Sequence, residues 1–362
     1  MTCKNEPVTA RRIKSVGASS GPTSSDVQIG TNALLFKDVT LFDGERFADH
    51  PRDVAVLFGA VSAVDEGISI SGTGEVERVE GGFLFPGFVD AHVHLSMSEP
   101  AAVAAGGVTG VLDLGSPLAY AFSEHHPLRF AAAGPLITAR RGYPTTSWGA
   151  NGYGLEVADP SQARDAVALL ADSGAAIIKV AIEPDGGPTL DARTLSAVAD
   201  AAHRRGLKVA AHALSADAVR EALTAGVDVL AHTPMEQLPE DLIASLGATG
   251  VTVISTLRAF GAHDSTRENL AALAAAGCPV AYGTDLGNGS IRPGIDPAEL
   301  ELLEHALGDR ARALAAATSV SGALAGAGGR IAPDLPADLL WVPRFDSFDD
   351  LARDARIWIG GR

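Results

Sequence analysis

The chain has 362 residues, 46% hydrophobic and 20% charged, with a net charge of −16 at pH 7. That length and composition suit one large domain, or a large domain with a small one, and exclude global disorder. The strong negative charge argues against nucleic acid or an anionic membrane surface as a partner. The only two cysteines, Cys3 and Cys278, exclude a disulfide framework and a thiolate zinc site.

Residues 1–30 are rich in Ser, Gly, Thr and Pro and have basic residues without an apolar segment. They read as a flexible leader and not as a secretory signal. No apolar stretch reaches the ~18–20 residues a transmembrane helix needs, so a cytoplasmic protein is expected. Residues 31–85 alternate in short runs such as "ALLFKDVTLFDG" and "RDVAVLFGAVSAVDEG", punctuated by Gly and Asp, which predicts strands joined by tight turns.

From residue 86 the texture changes. Short apolar runs alternate with Ala-rich segments of helical length. The first run is "GFVDAHVHL", and seven more follow at 107–115, 134–140, 175–184, 207–213, 227–234, 251–260 and 279–287. Between the third and fourth runs, "DPSQARDAVALLADSG" has an Asp-Pro start and a Gly stop, as a helix should. Eight β-like runs separated largely by helices predict an α/β fold of parallel units, a (β/α)8 TIM barrel over residues 86–328. The connection after His94 is short for a loop plus helix, and a doubly wound open sheet accommodates the same alternation. A helix over 296–319 would close the barrel. Residues 329–362 return to short strands and turns, and join 31–85 as one small discontinuous β-sandwich domain.

Barrel enzymes place their chemistry at the C-terminal ends of the strands. His92 and His94 fall late in the first run, Lys179 in the fourth, His212 in the fifth, His232 in the sixth and Asp285 in the eighth. Positions i and i+2 of a strand share a face, so His92 and His94 project together. Taken singly, each residue has an ordinary explanation: a hydrogen-bonded histidine, a snorkelling lysine, a turn aspartate. Taken together, they predict a metal site, because neutral imidazole and carboxylate suit zinc and similar divalent ions. The set exceeds what one ion requires, which suggests two. A lysine ammonium beside two cations would be repelled, unless Lys179 is carboxylated and bridges them as an anion. His50, His125, His126, His203, His263 and His305 lie in predicted turns, loops or helices and receive no role.

The motifs "FPGFVDAHVHL", "IIKV", "VAAHALSADAVREALTAGVDVLAHTP" and "YGTDLG" together resemble the amidohydrolase superfamily. The likeness is greatest to its binuclear branch of imidazolonepropionase-like and Xaa-Pro dipeptidase-like amidohydrolases. The resemblance implies a distorted barrel with His92, His94 and Asp285 on the more buried ion. His212 and His232 would hold the second ion, with carboxylated Lys179 bridging and zinc the expected metal. The Glu that deaminase and imidazolonepropionase members carry shortly after the fifth-strand His is missing from "HALSAD", which favours binuclear hydrolysis.

Such a site predicts hydrolysis of an amide, lactam or related C–N bond, with esters accessible, by a metal-activated hydroxide. Asp285 would accept the hydroxide proton and pass it to the leaving nitrogen. The alternative is a non-hydrolytic cyclisation, dehydration or decarboxylation on the same ions. The partner expected is a small-molecule substrate, with homo-oligomerisation left open. Candidate substrate contacts are Tyr143, Trp148 and Tyr153 in the loop 140–157, which serve equally well to pack that loop. Arg258 is a candidate partner for a substrate carboxylate or a rim salt bridge, and Glu236 and Arg140 are weaker candidates of the same kind.

Overall fold

The computed structural model describes residues 26–29, 33–72, 74–289 and 291–361. The expected leader lies outside the described residues except for the strand Asp26–Ile29, which pairs in parallel with Ser69–Gly72. Strands Ala33–Leu41, Arg52–Leu57 and Ala60–Asp65 form an antiparallel meander, and Val76–Glu80 joins its first strand in parallel. The C-terminal strands Leu339–Val342 and Arg356–Trp358 complete the same sheet, the former pairing with Phe83–Pro86. The two ends of the sequence therefore share one β unit. Its core brings Phe36, Val54, Leu84 and Leu339 together, with Trp358 set edge-on to Phe36 at 5.1 Å. Alternating residues supply that core, and the residues between them are covered as well: Leu35, Ala55 and Ile68 form a second small cluster, and Phe85 and Leu340 belong to the main core.

All eight runs contain parallel strand, but the ladder is not continuous. Phe88–Val93, Val108–Asp113 and Arg129–Ala132 form a three-stranded sheet. Gly154–Val157, Leu136–Ala139, Ile177–Ile182, Lys208–Ala213, Val229–Leu230, Thr252–Ile254 and Val280–Ala281 form a second, in that spatial order. Individual backbone hydrogen bonds join the two: Ala176 N–H donates to Ala132 O at 2.9 Å, and Asp285 N–H to His92 O at 2.8 Å. Two of these strands are additional to the eight runs. Arg129–Ala132 merges in sequence with the third run, and Gly154–Val157 ends the loop expected over 140–157.

Helices start where side chains can accept their free N–H groups. Asp159 caps Pro160–Asp172, Asp191 caps Ala192–Arg204 and Ser215 caps Ala216–Ala225. The short first connection is resolved by a 3-10 turn, Leu95–Met97, and a six-residue helix, Pro100–Ala105. The helix expected over 296–319 is broken. Pro297–Leu307 ends at Gly308 with φ +69°, and Asp309 then caps Arg310–Ala315. The "LGDR" sequence is thus a helix stop followed directly by a helix start. A π-helical turn, Ala316–Val320, leads into Ser321–Ala325. Among the described residues no helix is long and apolar enough to cross a membrane.

Candidate metal centre

The strand Phe88–Val93 and the residue after it carry His92 and His94 on one face, and both are buried. His92 Nδ1 lies 2.7 Å from Ala231 O, and His94 Nδ1 lies 2.6 Å from Gly115 O. A carbonyl can only accept, so each Nδ1 carries the proton and each Nε2 presents its lone pair. Asp285 Oδ1 lies 3.4 Å from His92 Nε2 and 3.3 Å from His94 Nε2. These three side chains offer ligand atoms within 4.8 Å of one another. His92 Nε2 and Asp285 Oδ1 are buried polar atoms with no hydrogen-bond partner among the described residues. Groups of that kind are normally satisfied, and a cation between them would do so.

His212, at the end of Lys208–Ala213, places Nε2 3.1 Å from Glu183 Oε2. With the Nε2 proton bonded to that carboxylate, Nδ1 carries the lone pair. His232 Nδ1 lies 3.0 Å from the Thr256 hydroxyl. The His92 and His212 rings approach His232 at 4.5 and 4.7 Å. Lys179, in the strand Ile177–Ile182, is buried beside them. His92, His94, Lys179, His212, His232 and Asp285 all line one cavity of about 350 Å³. The wider groove over the small β unit, about 1030 Å³ and lined in part by Phe58, Glu75 and Trp358, contains no imidazole.

The electrostatics separate His94 from the other three imidazoles: burial pulls its value down, but the Asp285 and Asp113 carboxylates outweigh that and raise it above the ordinary value. Burial pushes His92, His212 and His232 below the ordinary imidazole value, which keeps them neutral. Burial opposes ionisation of Asp285, but His92, His94 and His232 hold its carboxyl well below the usual range. Burial also drives the Lys179 amine down to about 7, against the pull of Asp285 and Asp113.

The residues around these ligands carry a supporting frame that sequence reasoning missed. Asp90 accepts hydrogen bonds from the His92 N–H, the Thr284 N–H and the Thr284 hydroxyl, tying the first parallel strand to the segment that bears Asp285. Asp113 accepts from the N–H groups of Leu95 and Gly115 and from the Ser116 hydroxyl. Period-2 spacing was the available signal for two of these positions. Asp90 shares a strand face with His92, and Glu183 shares one with Lys179.

The expected substrate contacts separate. Tyr143 and Trp148 line the cavity, with the Tyr143 ring 4.7 Å from His212 and the Trp148 ring 4.9 Å from His94. Trp148 Nε1 donates to the Tyr143 hydroxyl at 2.9 Å. Tyr153 is not a lining residue; its hydroxyl bonds Ser96 at 2.8 Å and its ring backs Trp148 at 5.3 Å. Arg258 forms the salt bridge that was one of its two expected roles. It begins a 3-10 turn beyond its strand, and its guanidinium pairs with Asp296 outside the cavity lining. Glu236 is engaged by the Ala216 N–H at 2.8 Å, and Arg140 is exposed.

A sequence model described as the amidohydrolase family matches residues 83–357. The chain belongs to the amidohydrolase family. Uncharacterized proteins of Mycobacterium tuberculosis and Mycobacterium bovis are 29% identical to this amidohydrolase over 198 residues. Each match covers 49% of this chain and 51% of the relative, so the chain spans about half the length of those relatives. Among solved structures, a Xaa-Pro dipeptidase with bound methionine is 18% identical with a TM-score of 0.76, covering 91% of this chain and 98% of that one. A putative prolidase from Bifidobacterium longum is 24% identical with a TM-score of 0.75, covering 91% and 94%. A. niger ochratoxinase is 18% identical with a TM-score of 0.75, covering 91% and 95%. At these identities the likeness is one of fold.

Proposed function

We propose that this amidohydrolase is a binuclear, metal-dependent hydrolase that cleaves an amide, lactam or related C–N bond of a small molecule, on a closed, distorted (β/α)8 barrel. The observation that carries the proposal is the pair of buried, unpartnered atoms His92 Nε2 and Asp285 Oδ1, with His94 Nε2 alongside. The family match and the dipeptidase and ochratoxinase folds support hydrolysis. The backbone bonds from Asp285 N–H to His92 O and from Ala176 N–H to Ala132 O support closure of the barrel.

The residues present fit the metal. His92, His94 and Asp285 would hold the buried ion, and His212 through Nδ1 and His232 through Nε2 would hold a second. Lys179 fits the bridging role because an amine brought down to about 7 is half neutral at that pH, and only the neutral amine adds carbon dioxide. Zinc suits this set of imidazoles and carboxylates. When bound, the ions would make a water molecule acidic enough to attack at neutral pH and would polarise the scissile carbonyl.

The protein's own groups then divide the work. Asp285, held ionised and anchored through Oδ2 by the Asn288 amide at 3.1 Å, takes a proton from the attacking water. It delivers that proton to the nitrogen as the C–N bond breaks, leaving the water oxygen on the acyl carbon. Ala231 O and Gly115 O fix the two imidazoles that frame it. Trp148 and Tyr143 cover the site and limit the entry of bulk water.

The test is turnover of N-acyl amines, dipeptides and cyclic amides by zinc-loaded protein in oxygen-18 water. Label in the carboxyl product, lost on chelation and restored by zinc, is the expected result. An unlabelled product would instead identify a cyclisation, dehydration or decarboxylation.

A further inference from the structure

The wall above the ligands differs in character from the floor. Trp148 sits over His94 and Tyr143 over His212, with Leu136 beside them and Met97 exposed at the rim. A volume of about 350 Å³ admits one small molecule. Among the described lining residues Lys179 is the one cationic side chain, and it is buried on the floor between the histidines. Arg258, expected from the sequence at the mouth, is committed to Asp296, and its backbone N–H donates to Glu299 at 2.8 Å.

A substrate carboxylate lying against this wall would meet aromatic and aliphatic surface, with the Asn288 amide already donating to Asp285 and no guanidinium or ammonium among the described residues of the wall. The protein's own charges around the cavity are the carboxylates of Glu183 and Asp285 and the Lys179 amine on the floor. The scissile carbonyl and the attacking water would take up the two ions held there. Desolvating an unpaired carboxylate there is costly, and like charges add to the cost. A neutral group loses none of this and gains aromatic contact. The Tyr143 hydroxyl, already accepting from Trp148 Nε1, keeps its own proton for a neutral acceptor such as a second carbonyl oxygen.

From this wall, and resting on the hydrolytic reading of the site, we propose that the enzyme selects a neutral amide with an aromatic or alkyl flank, and discriminates against substrates with a free carboxylate next to the scissile bond. Peptide-like substrates ending at that bond in an amino acid fall in the disfavoured class.

A matched pair of probes tests this: N-benzoylpyrrolidine and N-benzoyl-L-proline share the scissile bond and differ by one carboxylate. Zinc-loaded full-length protein should favour the neutral probe in kcat/KM by about tenfold or more, the order expected when a buried charge lacks a partner. Binding is followed separately by quenching of tryptophan fluorescence. Equal or faster turnover of the proline probe, equal or tighter binding of it, or binding of neither probe would overturn the proposal. Tighter binding of the neutral probe without turnover of either would uphold the selectivity and reject the hydrolase. In Met97→Arg, which adds a cation at the exposed rim, the preference should move toward the proline probe by about tenfold; an unmoved ratio would count against the proposal.

Discussion

Each imidazole in the centre is oriented by what its far nitrogen touches. Backbone carbonyls of Ala231 and Gly115 set His92 and His94, the Glu183 carboxylate sets His212, and the Thr256 hydroxyl meets His232. Outer partners of this kind fix tautomer and aim before any metal arrives. Asp285 and Thr256 also adopt positive φ, +58° and +42°; an aspartate tolerates that region, whereas the β-branched Thr256 is held there against its preference. Lys179 makes a prediction of its own for metal-free protein. Its amine titrates at about 7 when folded and at the ordinary 10.5 when unfolded. Between those values the unfolded chain holds a proton that the folded chain lacks, so stability rises with pH, at up to about 1.4 kcal/mol per pH unit. Urea unfolding of chelated protein from pH 7 to 9 should show that rise, and Lys179→Met should flatten it. An identical pH dependence in the variant would mean that the lysine is not a buried, mostly neutral amine.

At the scale of elements, the site depends on strand ends and the tight turns that follow them. Asp113 closes the turn after the strand Val108–Asp113 and reaches across to the Leu95 N–H, joining two strand ends around His94. Gly115 lies in that turn because nothing larger fits: a Cβ there would stand 2.8 Å from His94 Cε1 and 2.6 Å from Leu136 Cδ1. Gly115→Ala should therefore displace the His94 ring while sparing most of the core. Zinc affinity, measured by competition with a chelator, should fall by about 10–100-fold, as for loss of an outer-shell contact, with secondary structure kept by circular dichroism. Unchanged affinity would show that His94 does not need this turn. The turns were less legible than the strands. Apolar runs announce strands by their composition, whereas Asp113 is recognisable as a turn anchor only once the Leu95 N–H is known to lie beside it.

Across the whole molecule, the sequence carried the parallel strands, the β unit built from segments within 33–86 and 339–358, and the gathering of six candidate ligands at one cavity. All six line one cavity, though they come from the ends of five strands, or the segments just after them, between residues 92 and 285. They were legible because each sits late in an apolar run, and parallel strands deliver those positions to one end of the sheet. Of the two readings open to Arg258 the structure has the salt bridge, because the chain turns after Ile254 and brings the guanidinium to Asp296. Arg129–Ala132 and Gly154–Val157 escaped because each is only four residues long and is not a continuous apolar run, Arg129 and Glu156 interrupting them. The central claim is that these dispersed residues hold two ions in one cavity. Elemental analysis of full-length protein loaded with zinc and freed of excess tests it most directly. The account predicts about two zinc ions per chain, falling to about one in His212→Ala/His232→Ala. About one ion in the wild-type protein, or none, would contradict it.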